Sequence, residues 1–599
     1  MKELLMGNEA IAVGALAAGV QVVAGYPGTP STEALETVAA RNPGNVYVEW
    51  SANEKAALEV AAGAVYAGAR ALVTMKQVGL NVAADPVMCV NYIGVRGGLV
   101  IFVADDPGPI SSQTEQDTRH FAKYAKIPVF DASSPEEAFT MVQDAFAFSE
   151  KHGCPVILRA TTRVCHSCAT IDVPEIKNPP HAPGFEKDPS RWVIFPRLSY
   201  QNKLKLEARE TVIAREFSDY AGNTLQGSGR IGIACGGVSY AYVQDAIAGQ
   251  EKKFTVFKVA TPFPFPEELA CCFLRNVDRV IVFEELDPVI EDALIYLCGR
   301  RAMIADIRGK RTNDVPRAGE LGAVTISEIL ERVYNVPSRF DPVSVEDAPT
   351  VPARPPVLCA GCPHRASFYA VKRAMQGRRA VFCGDIGCYT IGNAAPLGMV
   401  DTCLCMGAGI TVAQGLDHAW EEGVCFSFVG DSTFFASGLP GVVNAIYNKA
   451  NIVLVVLDNS TTAMTGQQPH PGIGRTMMKT QSVPISIEAV LRALGIDFVR
   501  TVNPLDHREA VDTVREAADL TGVRAIIFKA PCIAVVKPTK SMQVNANACI
   551  GCKRCIRELG CPGLSFADGH AIVDSSLCNG CMLCAQICPK GCISKKEEA

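Results

Sequence analysis

The sequence contains no apolar run approaching the roughly 20 residues a membrane span needs, so no transmembrane segment is expected. It has no basic excess either: 57 Lys and Arg stand against 62 Asp and Glu, a net charge of -5. That leaves no electrostatic footprint for nucleic acid. A dinucleotide fingerprint is missing as well, because Cys235-Gly236-Gly237 is too short to be one, so neither NAD nor flavin is expected. No short-period repeat is visible. The nearest thing to a targeting segment is the Ala-, Gly- and Val-rich stretch from Ala10 to Val20. Asn8 and Glu9 before it look like a helix start, which favours a buried Ala-rich helix over a signal peptide.

What is present is length, ordinary globular composition and cysteine. The 599 residues suffice for three or four domains at roughly 100–200 residues each. Disulfide scaffolds are small and secreted, so the 25 cysteines of this long chain need another reason. Nine of them fall between Cys549 and Cys592, which points to a metal or cluster domain in a reducing cytoplasm.

Residues 1–175 alternate Ala-rich helical stretches with β-branched runs such as Ala71–Thr74, Leu99–Ala104 and Val156–Leu158. That rhythm predicts βαβ units and a parallel sheet covered on both faces. Residues 176–225 read as a linker, Pro-rich at first and helical around Lys203–Glu216. A middle α/β region spans 226–340, with strands at Ile231–Cys235, Phe254–Val259 and Arg279–Phe283. A third α/β region spans 350–538. Its runs Val424–Val429 and Ile452–Leu457 are the near-continuous apolar kind found inside parallel sheets. The first and third regions suggest similar sheets, which sequence alone does not prove. The tail, 540–599, is too small to bury much core, so clusters are expected to hold it together.

In that tail Cys549-x2-Cys552-x2-Cys555 is followed by Cys561-Pro562, and Cys578-x2-Cys581-x2-Cys584-x3-Cys588-Pro589 comes after an interval. Two such runs are the two-cluster ferredoxin pattern, in which the fourth ligand of each cluster comes from the other run. Cys549, Cys552, Cys555 and Cys588 are therefore assigned to one [4Fe-4S] cluster, and Cys578, Cys581, Cys584 and Cys561 to a second. Five residues rather than three separate Cys555 from Cys561, and Cys592 is left over as a spare buried thiol. A pair of four-thiolate zinc sites is the alternative.

Clusters move electrons but do not choose a substrate, so the chemistry must lie upstream. Gly430-Asp431-Ser432 directly follows one apolar strand, and Asp458-Asn459 directly follows the next. Strand C-terminal ends are where open α/β sheets place ligands. A diphosphate needs a hard cation with oxygen ligands, typically Mg2+. Asp431, the Asn459 side-chain oxygen and the Thr461 carbonyl can supply three. Glycine at 430 would let backbone approach the phosphates. The pattern resembles the thiamine-diphosphate motif, Gly-Asp-Gly then Asn after about 25 residues, with Ser432 in place of the second Gly. Two ordinary strand-to-loop turns are the alternative.

Four further motifs resemble the 2-oxoacid:ferredoxin oxidoreductases over essentially the whole chain. Gly25-Tyr26-Pro27-Gly28-Thr29-Pro30-Ser31-Thr32 is similar to the family's substrate loop. Asn53-Glu54-Lys55-Ala56-Ala57, leading into Gly63–Arg70, is similar to its catalytic-glutamate helix. Cys359-Ala360-Gly361-Cys362-Pro363-His364 and Ala530-Pro531-Cys532-Ile533 are similar to the start and end of its diphosphate domain.

The resemblance implies a pyrimidine-binding domain at 1–175, a transketolase-C-terminal-like middle domain, a diphosphate-binding domain at 350–538 and a two-cluster ferredoxin domain. The α/β domains would be doubly wound parallel sheets. It implies that Glu54 bonds the cofactor's pyrimidine, with Glu49 and Glu59 as nearby competitors, and that Thr29 contacts the 2-oxoacid. It places His364, Gly387, Gly407, Ser432 and Thr465 at the cofactor beside Gly430, Asp431 and Asn459. It matches Cys359, Cys362, Cys388 and Cys532 to the ligands of a third, proximal [4Fe-4S] cluster, against the alternative of four reduced cysteines in the core.

It also implies a homodimer in which the Glu54 and Asp431 regions of different copies face each other. A small second subunit would make an α2β2 heterotetramer, with coenzyme A as acyl acceptor and ferredoxin as electron acceptor. The fused domain order is most similar to members acting on arylpyruvates such as indolepyruvate. Pyruvate, 2-oxoglutarate and branched-chain oxoacids are the alternatives. A non-oxidative decarboxylase, or an electron-transfer subunit with a degenerate thiamine fold, are readings from other classes.

Overall fold

The computed structural model describes residues 1–340, 349–420 and 422–596. The chain divides into two compact units, Met1–Ala348 and Pro349–Ala599.

The first unit contains two large sheets and a two-stranded antiparallel one, Lys2–Met6 with Cys168–Asp172. Six strands, Val22–Gly25, Tyr47–Trp50, Ala71–Lys76, Leu99–Asp105, Val129–Asp131 and Val156–Thr161, run parallel in the spatial order 2-1-3-4-6-5. Every residue of Leu99–Asp105 is buried, as a central strand with helices on both faces requires. The Ala-rich helix forms over Gly7–Ala17 and is buried, in agreement with the sequence. It lies so close to the helix Pro135–His152 that a Cβ on Gly14 would meet the Phe139 carbonyl oxygen at 2.6 Å. The 24-residue helix Pro196–Asp219 occupies the charged part of the expected linker.

The middle sheet holds four parallel strands, Ile231–Gly236, Phe254–Val259, Arg279–Phe283 and Asp306–Arg308. Thr224–Gly227 is added antiparallel at one edge. Buried ion pairs surround the ends of these two sheets: Arg159 pairs with Asp105 at 2.7 Å and Asp131 at 2.8 Å, and Arg119 with Glu284 at 2.7 Å. Removing one partner of such a pair leaves an uncompensated buried charge, a cost of about 3–5 kcal/mol.

The second unit is built on Ala380–Gly384, Thr402–Cys403, Val424–Gly430, Ile452–Asp458, Val499–Val502 and Arg524–Lys529. These too are parallel, and their order is again 2-1-3-4-6-5. Strand alternation divides its side chains between two cores: Val453, Val455 and Leu457 enter one, Ile452, Leu454 and Val456 the other.

The cysteine-rich tail differs from the sequence expectation that clusters alone hold it. Leu559, Leu583, Ile587 and Ile593 share one core with Phe368, Tyr369 and Phe428. Arg365 donates to the carbonyls of Leu559 and Gly560 at 2.6 and 2.9 Å. A small domain can use a neighbour's apolar surface in place of a core of its own.

Candidate functional site

In the first unit Asn53 caps the helix Glu54–Tyr66, accepting from the Ala56 N–H at 2.9 Å. This places Glu54 in the first turn with its carboxyl buried. Burial pushes its pKa up to about 7, against the attraction of Lys76. Gly79 makes room for it: a Cβ there would meet Glu54 Oε1 at 2.4 Å. The two competitors are placed otherwise. Glu49 accepts hydrogen bonds from Tyr47 and Ser51, and Glu59 pairs with Lys55 on the surface. The Thr29 turn reaches the same region. Ser111 Oγ donates to the Thr29 carbonyl at 3.2 Å, and the stem of Lys76 runs beside Gly28.

In the second unit the strand Val424–Gly430 feeds directly into helical residues 431–447, with a π turn at Phe434–Gly438, a feature frequent at functional sites. Asp431 is buried at the start of this helix and accepts from the backbone N–H groups of Ser432 and Ser460, both at 2.8 Å. The second bond ties the loop after Ile452–Asp458 to the first loop. It brings Asn459 and Thr461 to Asp431, and the Thr461 N–H donates to Asn459 Oδ1 at 3.1 Å. Burial raises the Asp431 pKa, opposed by His470, whose Nε2 lies 3.1 Å away. His364 Nε2 lies 3.3 Å from Asn459 Nδ2, and burial lowers the His364 pKa to about 4, so its imidazole is neutral. Thr465 joins the loop through Gln468, donating to its Oε1 at 2.7 Å.

Two of the glycines have a packing reason of their own: a Cβ on Gly430 would meet Tyr389 Cε1 at 2.7 Å, and one on Gly387 would meet the same atom at 2.3 Å. Gly407 has φ +79° and donates to Asp385 at 2.7 Å. Asp385, Tyr389 and His470 were not singled out from sequence. Asp385 directly follows the strand Ala380–Gly384, so the strand-end argument that found Asp431 also applies to it. Burial lifts its pKa to about 7. Asp385 Oδ1 and His364 Nδ1 are buried without a hydrogen-bond partner. Two orphaned polar atoms beside a buried carboxylate and an amide oxygen fit a polar cofactor with a hard cation.

The thiols assemble in three groups. Cys549, Cys552, Cys555 and Cys588 line one small cavity. Cys561, Cys578, Cys581 and Cys584 line another. These are the two sets paired from sequence, with the fourth thiol of each supplied by the other run. Among the described residues no set of three or more His, Cys, Asp or Glu is placed to hold a single ion. Cys592 is buried, with its Sγ 3.3 Å from that of Cys588 in the first cavity.

Cys359, Cys362, Cys388 and Cys532 form the third group. Burial pushes Cys362 up to about 12 and Cys388 up to about 11, and neighbouring thiols of the group add to both shifts. Burial raises Cys532 as well, with Cys359 and Asp431 contributing. The Cys532 N–H donates to the Asn459 carbonyl at 2.9 Å. Four thiols whose protons a metal would displace thus adjoin the Asp431–Asn459 loops.

Among the described residues no helix is long and apolar enough to cross a membrane. Residues 13–211 match the thiamine-diphosphate-binding domain of pyruvate flavodoxin/ferredoxin oxidoreductases. Residues 385–528 match the C-terminal thiamine-pyrophosphate-binding domain, and residues 571–594 a 4Fe-4S binding domain. The indolepyruvate oxidoreductase subunit IorA of Methanothermobacter thermautotrophicus is 40% identical across 99% of this chain and 97% of its own. That of Pyrococcus horikoshii is 41% identical across 100% and 97%. The 2-oxoglutarate synthase subunit KorA of Methanothermobacter marburgensis is 28% identical across 30% of this chain and 52% of its own. The chain belongs to the indolepyruvate oxidoreductase subunit IorA family, within the thiamine-diphosphate-dependent 2-oxoacid:ferredoxin oxidoreductases.

Proposed function

We propose that this chain is the large subunit of an enzyme that oxidatively decarboxylates arylpyruvates, indolepyruvate and phenylpyruvate among them. The products would be the aryl-acetyl-CoA and carbon dioxide, with electrons passing through [4Fe-4S] clusters to ferredoxin. The observation that carries this reading is the 2.9 Å bond from the Cys532 N–H to the Asn459 carbonyl. Through it, an oxygen donor set suited to a cation-bound diphosphate and a thiol set suited to a cluster meet where the loops after two paired strands touch. The names of relatives that match nearly the full chain support the aryl substrate.

Thiamine diphosphate, when bound, would supply a nucleophilic carbon and an electron sink for decarboxylation. The chain's own residues position and polarise. Glu54, with its pKa near neutrality, would hold or release a proton at the pyrimidine nitrogen, where a matched pKa makes transfer efficient. Asp431, Asn459 Oδ1 and the Thr461 carbonyl would hold Mg2+, and the helix starting at Asp431 would turn its N–H groups to the diphosphate. His364, Gly387, Gly407, Gly430, Ser432 and Thr465 would complete the cofactor seat, and Thr29 would bond the 2-oxoacid. Cys549, Cys552, Cys555 and Cys588 would hold one cluster, Cys561, Cys578, Cys581 and Cys584 a second, and Cys359, Cys362, Cys388 and Cys532 a third beside the cofactor.

In this reading residues 1–175 form the pyrimidine-binding domain, 226–340 the middle domain, 350–538 the diphosphate-binding domain and 540–599 the ferredoxin domain. Two copies pair so that Glu54 of one serves Asp431 of the other, a small second subunit completes an α2β2 enzyme, and the enzyme works in the cytoplasm. The test is anaerobic. The enzyme with its small subunit is mixed in turn with indolepyruvate, phenylpyruvate, pyruvate and 2-oxoglutarate, with and without coenzyme A, while iron–sulfur absorbance is followed. Bleaching by the aryl substrates alone is expected. Bleaching by another oxoacid would overturn the substrate, and free aldehyde without bleaching would overturn the oxidative reaction.

A further inference from the structure

The Glu54 site has a charge pattern that the roles above leave unexplained. The turn 25–32 carries no Lys or Arg, and the stretch 105–117 carries Asp105, Asp106, Glu115 and Asp117 with no Lys or Arg. Asp105 is paired with the buried Arg159 and Asp117 with the buried Arg119; the cation beside the Thr29 turn is Lys76. It is the last residue of the strand Ala71–Lys76, so its side chain leaves the sheet at the C-terminal end, where parallel sheets place ligands. Its Nζ donates to the Ser111 carbonyl at 3.0 Å, and Ser111 Oγ in turn donates to the Thr29 carbonyl. Its stem is held by Gly28, where a Cβ would meet Lys76 Cγ and Cδ at 3.2 Å. The ammonium is therefore fixed against the Thr29 turn, 9% exposed.

Its own hydrogen bonding is incomplete. Among the described residues the Ser111 carbonyl is its one recorded acceptor, and no carboxylate forms an ion pair with it. Asp106 and Glu54 are close enough to feel its charge. Asp106, however, already accepts from the Ser111 N–H, the Ser112 hydroxyl and the Thr162 hydroxyl. An ammonium has three donors, and a buried cation without a partner carbonyl or carboxylate for each is costly to keep. Such a group beside a substrate turn is suited to an anion that arrives from outside.

We propose that Lys76 binds the carboxylate of the 2-oxoacid, while the Thr29 turn takes the keto end. This rests on the reading of the site as a 2-oxoacid site and adds the residue that recognises the acid function. Ion pairing to a buried ammonium would reject the corresponding amide or ester, and the side chain of the acid would play no part in that step.

The test compares 3-phenylpropionate, which cannot react, with its amide, as ligands of the thiamine-diphosphate-loaded enzyme with its small subunit. Binding is measured by calorimetry in wild type, Lys76→Met and Lys76→Gln. Gln keeps a donor for the Ser111 carbonyl and serves where the Met variant does not fold. Wild type is expected to prefer the acid by ~30-fold or more, and both variants to lose all but ~3-fold of that preference, as expected when a charge-assisted bond is removed. Their affinity for thiamine diphosphate should stay within ~3-fold of wild type, because no cofactor contact is removed.

A variant that binds thiamine diphosphate and keeps the full preference for the acid would overturn the proposal and leave Lys76 a structural cation. Loss of thiamine diphosphate binding in both neutral variants would overturn it too, by assigning Lys76 to the cofactor. Failure of the 2-oxoacid reading would appear separately, as a wild-type enzyme that binds thiamine diphosphate yet is bleached by no oxoacid.

Discussion

The sheets at 22–161 and 380–529 have the same six-strand order, all parallel, yet carry opposite chemistry at their strand ends. At the first, the loops bring together a buried carboxyl, Glu54, an ammonium without an ion-pair partner, Lys76, and a glycine that leaves room for the acid. At the second, the equivalent positions bring carboxylates, amide oxygen, imidazole and thiols together around Asp431 and Asn459. The wiring of a doubly wound sheet decides where a site sits. The few residues that follow each strand decide what it does. In the proposed function, division of one cofactor between two like sheets would keep proton handling apart from the diphosphate and its cation.

Removing the acid from the first sheet should break the comparison most severely. Glu54→Gln keeps the shape but cannot cycle a proton, and oxoacid-driven bleaching should slow by ~10²–10⁴-fold in stopped-flow traces. Mixing this chain with Asp431→Asn should sharpen it: neither variant alone is active, and a mixed dimer regains one intact site only if the two sheets serve each other between copies. Restored activity on mixing is expected, and none would place both halves in one chain.

A methyl group at the first sheet tests packing of the acid. Gly79→Ala sets a Cβ 2.4 Å from Glu54 Oε1. The carboxyl must move, lowering the bleaching rate up to ~10²-fold and the unfolding free energy by ~1–3 kcal/mol in denaturant titrations. A smaller effect is pH-dependent. The folded pKa of Glu54 lies near 7, above its ordinary value of 4.5. The folded protein therefore binds the proton more tightly, and stability falls as pH rises from about 4.5 to 7. The thermal midpoint of the cofactor-free chain should fall less steeply over that window in Glu54→Gln. Glu59→Gln, on the exposed face of the same helix, should leave the bleaching rate unchanged.

Much of this was legible along the chain because it is local. Apolar runs such as Ile452–Leu457 give central strands, two-residue spacing gives the thiol sets, and the strand-end position gives Asp431 and Asn459. What was not legible depends on packing between distant segments. Tyr389 fills the space at Gly430, His470 returns to Asp431 from a loop, and the tail borrows Phe368 and Tyr369 for its core. None of these has a period or a spacing. Lys76 is intermediate: its place at a strand end could be read, but its single acceptor, the Ser111 carbonyl, needed the fold.

The central claim, that one sheet handles the proton and the other holds the cation-bound diphosphate, is tested most directly by thiamine diphosphate and Mg2+ calorimetry on Glu54→Gln and Asp431→Asn side by side. The account predicts that Glu54→Gln binds the cofactor with near wild-type, Mg2+-dependent affinity, and that Asp431→Asn loses the Mg2+-dependent part. Equal loss in both variants, or an Asp431→Asn enzyme that binds the cofactor as wild type does, would contradict it.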